Sequence, residues 1–157
     1  MKAKVGVVGA GTYGSVLINA YYGAHKRGEI ELAAIADINP DTLSAMKAKY
    51  GMKGYLDYKE MFDQEGLDAV AVVTPDYLHE EVVLEAAKRG IHILAQKPLS
   101  TDIGQGKRMI QAAKENQVML YVDFHKRFDP AHIQLRNAIR AGKLGEIEYG
   151  YVCMEDK

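Results

Sequence analysis

The segment Gly9-Ala10-Gly11-Thr12-Tyr13-Gly14 places glycine at the three positions of a G-x-G-x-x-G turn. That spacing suits a backbone wrapped around a pyrophosphate: the first glycine makes the turn, the second admits the phosphate, and the third lets a helix pack on a strand. The N–H groups and positive dipole end of the following helix then face the anion. Asp37 follows after an interval suited to a second partner, a carboxylate that accepts from the ribose hydroxyls and repels a 2′-phosphate. Ile38-Asn39-Pro40 brings no Arg or Lys to neutralise such a phosphate. These residues point to NAD(H), with NADP(H) the less favoured cofactor. Glycine-rich turns with an acid after a second strand also serve S-adenosylmethionine, and glycines can serve packing alone, but the full spacing favours the dinucleotide.

The flanking residues predict the elements such a turn requires. Lys4 to Gly9 reads as a buried strand, and Thr12 to about Ala24 as a helix with Val16, Leu17, Ala20 and Ala24 on one face. Strands are expected at Leu32–Ala36, Tyr55–Leu56, Ala69–Val73, Ile91–Ala95 and Val118–Val122. Helices are expected from Pro40 behind an Asn39 cap, over Tyr58–Gln64, from Asp76 to Lys88 with Gly90 as the stop, over Asp102–Asn116, and from Pro130 to Ala141. Strands alternating with helices imply an α/β fold, a doubly wound and mostly parallel Rossmann sheet with helices on both faces. Glu146 to Met154 alternates instead, with Ile147, Tyr149, Tyr151 and Cys153 on one face, and reads as a strand of a different kind.

The 157 residues suffice for one buried core. A formal charge of −1 offers no general field for nucleic acid or an anionic membrane. One cysteine permits no internal disulfide, no apolar run reaches membrane-span length, and the N-terminus lacks a signal-peptide pattern, so a cytoplasmic protein is expected. The five histidines and Cys153 show no metal-ligand spacing.

Three further motifs follow strands in order: Thr74-Pro75-Asp76-Tyr77-Leu78-His79, Gln96-Lys97-Pro98-Leu99, and Asp123-Phe124-His125-Lys126-Arg127-Phe128-Asp129-Pro130. With the glycine turn they resemble the glucose–fructose oxidoreductase and inositol dehydrogenase family, Gfo/Idh/MocA, over essentially the whole chain. The resemblance implies cofactor contacts from Gly9, Gly11, Thr12, Tyr13, Gly14, Asp37, Thr74, Pro75, His79, Gln96, Lys97 and Arg127. It makes Lys97 the catalytic residue, touching the nicotinamide ribose and the substrate hydroxyl and taking part in proton transfer. Family members usually carry Glu where this chain has Gln96, which removes a carboxylate beside the ammonium, and commonly Asn where it has Asp76. For His79 a capping or surface role is the alternative, and for Arg127 a structural ion pair.

The resemblance also implies hydride exchange between nicotinamide and a secondary alcohol of a sugar, polyol or inositol-like substrate, in a homo-oligomer. A non-catalytic NAD(H)-binding module is the alternative. The expected organisation is a dinucleotide-binding domain over 1–122, a connecting segment and helix over 123–145, and at 146–157 the first strand of an otherwise truncated α+β substrate domain.

Overall fold

The computed structural model describes residues 2–153. By contacts the chain forms two compact units, Met1–Asp123 and Phe124–Lys157. The first unit runs β1 (Ala3–Val8), α1 (Thr12–Arg27), β2 (Ile30–Ala36), α2 (Pro40–Tyr50), β3 (Lys53–Tyr55), α3 (Tyr58–Glu65), β4 (Ala69–Val72), a 3-10 turn (Asp76–Leu78), α4 (His79–Lys88), β5 (His92–Gln96), α5 (Ile103–Glu115) and β6 (Leu120–Asp123). All strand pairings are parallel, in the order β3-β2-β1-β4-β5-β6. The order reverses between β1 and β4, so the carboxyl ends of those strands open a crevice where doubly wound sheets bind ligands.

Each central strand is buried on both sides, and its alternate residues enter two separate cores. Val8, Ala36, Val70, Val72, Ile93 and Ala95 pack with Met61 and Phe62 of α3, Val82, Val83 and Ala86 of α4, and Met109 of α5. Val7, Leu32, Ile35 and Ala71 pack with Ile18 of α1 and with Leu43 and Tyr50 of α2. This two-sided burial explains the near-continuous apolar runs of the strand sequences.

Local signals set most boundaries. The Asn39 side chain accepts from the amides of Asp41 and Thr42, with Pro40 opening α2. Asp102 accepts from the Gln105 amide at the start of α5, and Gly90, at φ 72°, follows the end of α4. The weak third strand covers Lys53–Tyr55, starting two residues earlier than expected, because only those residues find β2 partners.

The face of α1 differs from the expected one. Val16 and Ala20 are exposed, and Gly14 and Ile18 are buried, with Tyr21 and Tyr22 partly covered beside them. Gly14 is pressed against the turn after β1, and that contact sets the helix rotation; residues four, seven and eight positions on then face the sheet. Apolar spacing alone had two nearly equivalent stripes to choose from.

The second unit contains a 3-10 turn (His125–Phe128) and α6 (Pro130–Arg140), opened by Asp129, whose carboxylate accepts from the Ala131 and His132 amides. The strand expected at Glu146–Met154 is not present over residues 146–153, and Cys153 is exposed outside any strand. A strand requires a partner for its backbone groups, and none pairs with this segment among the described residues. Met154 and the three residues after it lie outside the described residues. No helix among the described residues is long and apolar enough to cross a membrane.

The rotation of α1 is testable by urea unfolding. Ile18→Ala is expected to cost about 3 kcal/mol, and Val16→Ala to stay within about 0.5 kcal/mol. The reverse ranking would mean that α1 presents the other stripe to the sheet.

Candidate functional site

The site begins where β1 ends. Gly9 turns the chain at φ 97°, and a Cβ there would stand 2.6 Å from the Val73 carbonyl oxygen. A Cβ on Gly14 would stand 2.2 Å from the Gly9 carbonyl oxygen. Both glycines are therefore demanded by packing. Gly11 is not: a Cβ there would meet nothing within 4 Å, so space is open over the turn. Helices α1 and α4 start without a side-chain cap, whereas Asn39, Asp57, Asp102 and Asp129 cap α2, α3, α5 and α6. The first amides of α1 and the open space above Gly11 present donors of the kind that bind an anion.

Asp37, just beyond β2, ties this turn in place. Its Oδ2 accepts from the Ala10 amide at 2.6 Å and its Oδ1 from the Asn39 amide at 2.9 Å. Each oxygen keeps a further acceptor position, as a ribose ligand needs. Asp37 lines a crevice of about 430 Å³ with Gly9, Gly11, Ile38, Leu56, Thr74 and Pro75 among its walls.

A second crevice, of about 360 Å³, shares Val73 and Thr74 with the first and is lined further by Tyr13, Asp76, His79, Gln96, Lys97 and Pro98. The parallel sheet brings these residues together by ending β4 and β5 at one edge. The Lys97–Pro98 bond is cis. His79 is buried at 1% exposure, which removes the surface alternative. Its ring nitrogens face the Thr74 carbonyl at 3.0 Å and the Leu99 carbonyl at 3.2 Å, joining the loops after β4 and β5. A neutral ring donates to one of these carbonyls, and the doubly protonated ring to both.

Thr74 Oγ1 is the only buried side-chain N or O without a hydrogen-bond partner among the described residues. It stands at the junction of the two crevices. Buried polar groups are ordinarily satisfied, so this hydroxyl is set apart from the other buried polar side chains.

The Gln96 amide donates to the Asp123 carboxylate, its register partner on β6. The same carboxylate acts on α1: Tyr13 and Tyr21 are raised first by burial and then by the Asp123 charge, Tyr21 up to about 12. Sequence reasoning gave Asp123 no role, since nothing in its spacing links it to Gln96. His25 and His92 are structural, their Nδ1 atoms accepting from the Leu32 and Met119 amides. No group of three or more His, Cys, Asp or Glu able to hold a metal ion occurs among the described residues.

Residues 3–124 match the oxidoreductase family with an NAD-binding Rossmann fold known as Gfo/Idh/MocA. The chain belongs to this family. It is 33% identical over 144 residues to myo-inositol 2-dehydrogenase of Thermotoga maritima, covering 91% of this chain and 42% of that protein. The WlbA dehydrogenase of Bordetella pertussis, solved in complex with NADH and UDP-GlcNAcA, superposes with a TM-score of 0.84 at 32% identity, covering 92% of this chain and 44% of that one. The scyllo-inositol dehydrogenase of Lactobacillus casei, solved with NAD(H) and scyllo-inositol, gives 0.84 at 26% identity, covering 93% and 43%. The chain thus spans less than half the length of these relatives.

Of the residues expected to bind cofactor in this Gfo/Idh/MocA chain, Gly9, Gly11, Asp37, Thr74 and Pro75 line the wider crevice, and Tyr13, Thr74, His79, Gln96 and Lys97 the narrower. Thr12 is the first residue of α1, and Gly14 is buried beneath the turn. Arg127 stands in the second unit, its guanidinium 6.0 Å from the Phe124 ring centre. Sequence reasoning missed Leu56, Tyr58 and Glu81 as crevice residues; they come from loops and helices with no spacing in common.

The two kinds of glycine predict different losses. Gly14→Ala is expected to destabilise the fold by at least about 2 kcal/mol, through the clash with the Gly9 carbonyl. Gly11→Ala is expected to unfold within about 1 kcal/mol of wild type and to lose NADH binding in calorimetry. Equal stability losses in the two variants would refute the distinction.

Proposed function

We propose that the chain binds NAD(H) across the two crevices. The ribose of the adenosine would lie at Asp37, the pyrophosphate over Gly11 and the N-terminus of α1, and the nicotinamide end beside Lys97. The unpartnered Thr74 hydroxyl at the junction carries this reading, because it lacks a hydrogen-bond partner where the two halves of a dinucleotide would meet. Open space above Gly11 supports it independently. Preference for NAD(H) over NADP(H) rests on the Asp37 carboxylate, which a 2′-phosphate would meet as a like charge.

When bound, the nicotinamide ring supplies reversible two-electron redox chemistry. Lys97, a wall of the second crevice, would hold hydroxyl groups of the nicotinamide ribose and of the substrate and pass the alcohol proton. Gln96 and Pro98 fix its point of departure from β5, and His79 fixes the neighbouring loop. For the whole protein we infer reversible oxidation of a secondary alcohol in a polyol, sugar or inositol-like compound. That inference draws on the inositol and sugar-nucleotide compounds named for the relatives. Substrate selection is assigned to the part of the relatives that this chain does not span.

Calorimetric titration of the chain with NADH and NADPH tests the cofactor reading. NADH is expected to bind saturably and at least about 10-fold more tightly than NADPH, a difference of about 1.4 kcal/mol. Asp37→Ser is expected to narrow that ratio. Failure of both cofactors to bind would overturn the site, and a preference for NADPH would overturn the role of Asp37.

A further inference from the structure

The crevice that Asp37 lines has further walls with a chemistry of their own. Its apolar walls come from Ile38, Leu56, Pro75 and Leu78, and Ile38 is 88% exposed, a large apolar side chain left uncovered. Walls of this kind suit a flat aromatic base. Two polar residues line the crevice as well: Tyr58, the first residue of α3, and Glu81, in the first turn of α4 with its side chain 62% exposed.

Their hydrogen bonds determine what they can offer a ligand. The Tyr58 hydroxyl donates to Glu81 Oε1 at 2.8 Å, and the Lys59 ammonium stands 3.1 Å from the same oxygen. A phenol has one proton, so with that proton committed to Glu81 the Tyr58 oxygen has only lone pairs left for a ligand. The Glu81 carboxylate accepts only, and its Oε2 is not the oxygen that Tyr58 and Lys59 contact. Both groups hold these states firmly: burial and then the bond to Glu81 push Tyr58 upward, while the bonds from Tyr58 and Lys59 hold Glu81 below the usual carboxylate range. Phe62 meets the Tyr58 ring edge-on, with centres 5.4 Å apart, and restrains its orientation. Tyr58 and Glu81 thus offer the crevice a fixed pair of acceptors.

We propose that Tyr58 and Glu81 select the 6-amino group of adenine, so that this crevice discriminates between a 6-amino and a 6-oxo purine dinucleotide. The inference rests on the dinucleotide reading of the crevice. An exocyclic amine brings N–H donors to the two acceptors; a 6-oxo purine sets lone pairs against them at that position and carries its nearest N–H one atom away, at N1, so the pairing is poorer.

Calorimetry with NADH and with reduced nicotinamide hypoxanthine dinucleotide, which differ only at the base, tests it. The wild-type chain is expected to bind NADH about 10-fold more tightly than the hypoxanthine analogue, the effect of one hydrogen bond at a partly open site. Glu81→Gln introduces an N–H donor that can turn to a 6-oxo group, and Tyr58→Phe keeps the ring but removes its acceptor. Each is expected to narrow the preference to below about 3-fold while leaving the NADH to NADPH ratio unchanged, since that ratio reads Asp37. Saturable NADH binding with equal affinity for the analogue in the wild type would overturn the selection alone, as would a preference that survives in both variants. If neither dinucleotide binds, the dinucleotide reading of the crevice falls with it.

Discussion

Helix α1 starts so close to the end of β1 that no side chain fits between the Gly9 carbonyl and residue 14. Much of the site follows from this contact. It obliges Gly9 to turn at positive φ, directs the uncapped first amides of α1 toward the carboxyl edge of the sheet, and rotates the helix so that Ile18 fills the core beneath. The same contact serves stability and binding. A fold that only needed to pack could have placed a capping side chain at the head of α1, as it does at four other helices.

Asp37 carries a comparable double load. Its two oxygens bind the amides of Ala10 and Asn39, so the carboxylate organises the glycine turn and the start of α2 before any ligand arrives. A pre-positioned acceptor would lose little entropy on binding a ribose hydroxyl, the role proposed for it. The same carboxylate would hold its place if the pocket were empty, so a structural role and a binding role are not competing explanations for it.

The features legible in the sequence were those with local causes. Buried parallel strands showed as apolar runs, caps as Asn39 and Asp102, and the fingerprint as three glycines at fixed intervals. What escaped depended on partners met only in three dimensions. Val16 and Ile18 are both apolar, and the contact of Gly14 with the turn after β1 decides between their faces. The Glu146–Met154 alternation describes a side-chain pattern, whereas a strand also needs a neighbour, and the described residues provide none. Tyr58 and Glu81 meet across α3 and α4, and the Lys59 ammonium joins them, an arrangement that no spacing rule encodes.

Gln96 illustrates how a substitution is read differently once its neighbour is known. Taken alone, an amide where the family usually has a carboxylate removes a negative charge from beside Lys97. In the sheet, residue 96 lies opposite Asp123, and its amide donates to that carboxylate. A glutamate at 96 would set two carboxylates against each other at this edge, which is unfavourable for both in their charged forms. Glutamine turns the same contact into a hydrogen bond. A negative charge therefore still stands at this edge, on the neighbouring strand about 4.8 Å away. There it also acts on Tyr13, a wall of the Lys97 crevice. The electrostatic character of the site thus belongs to the pair of strands β5 and β6 and cannot be assigned to either residue alone.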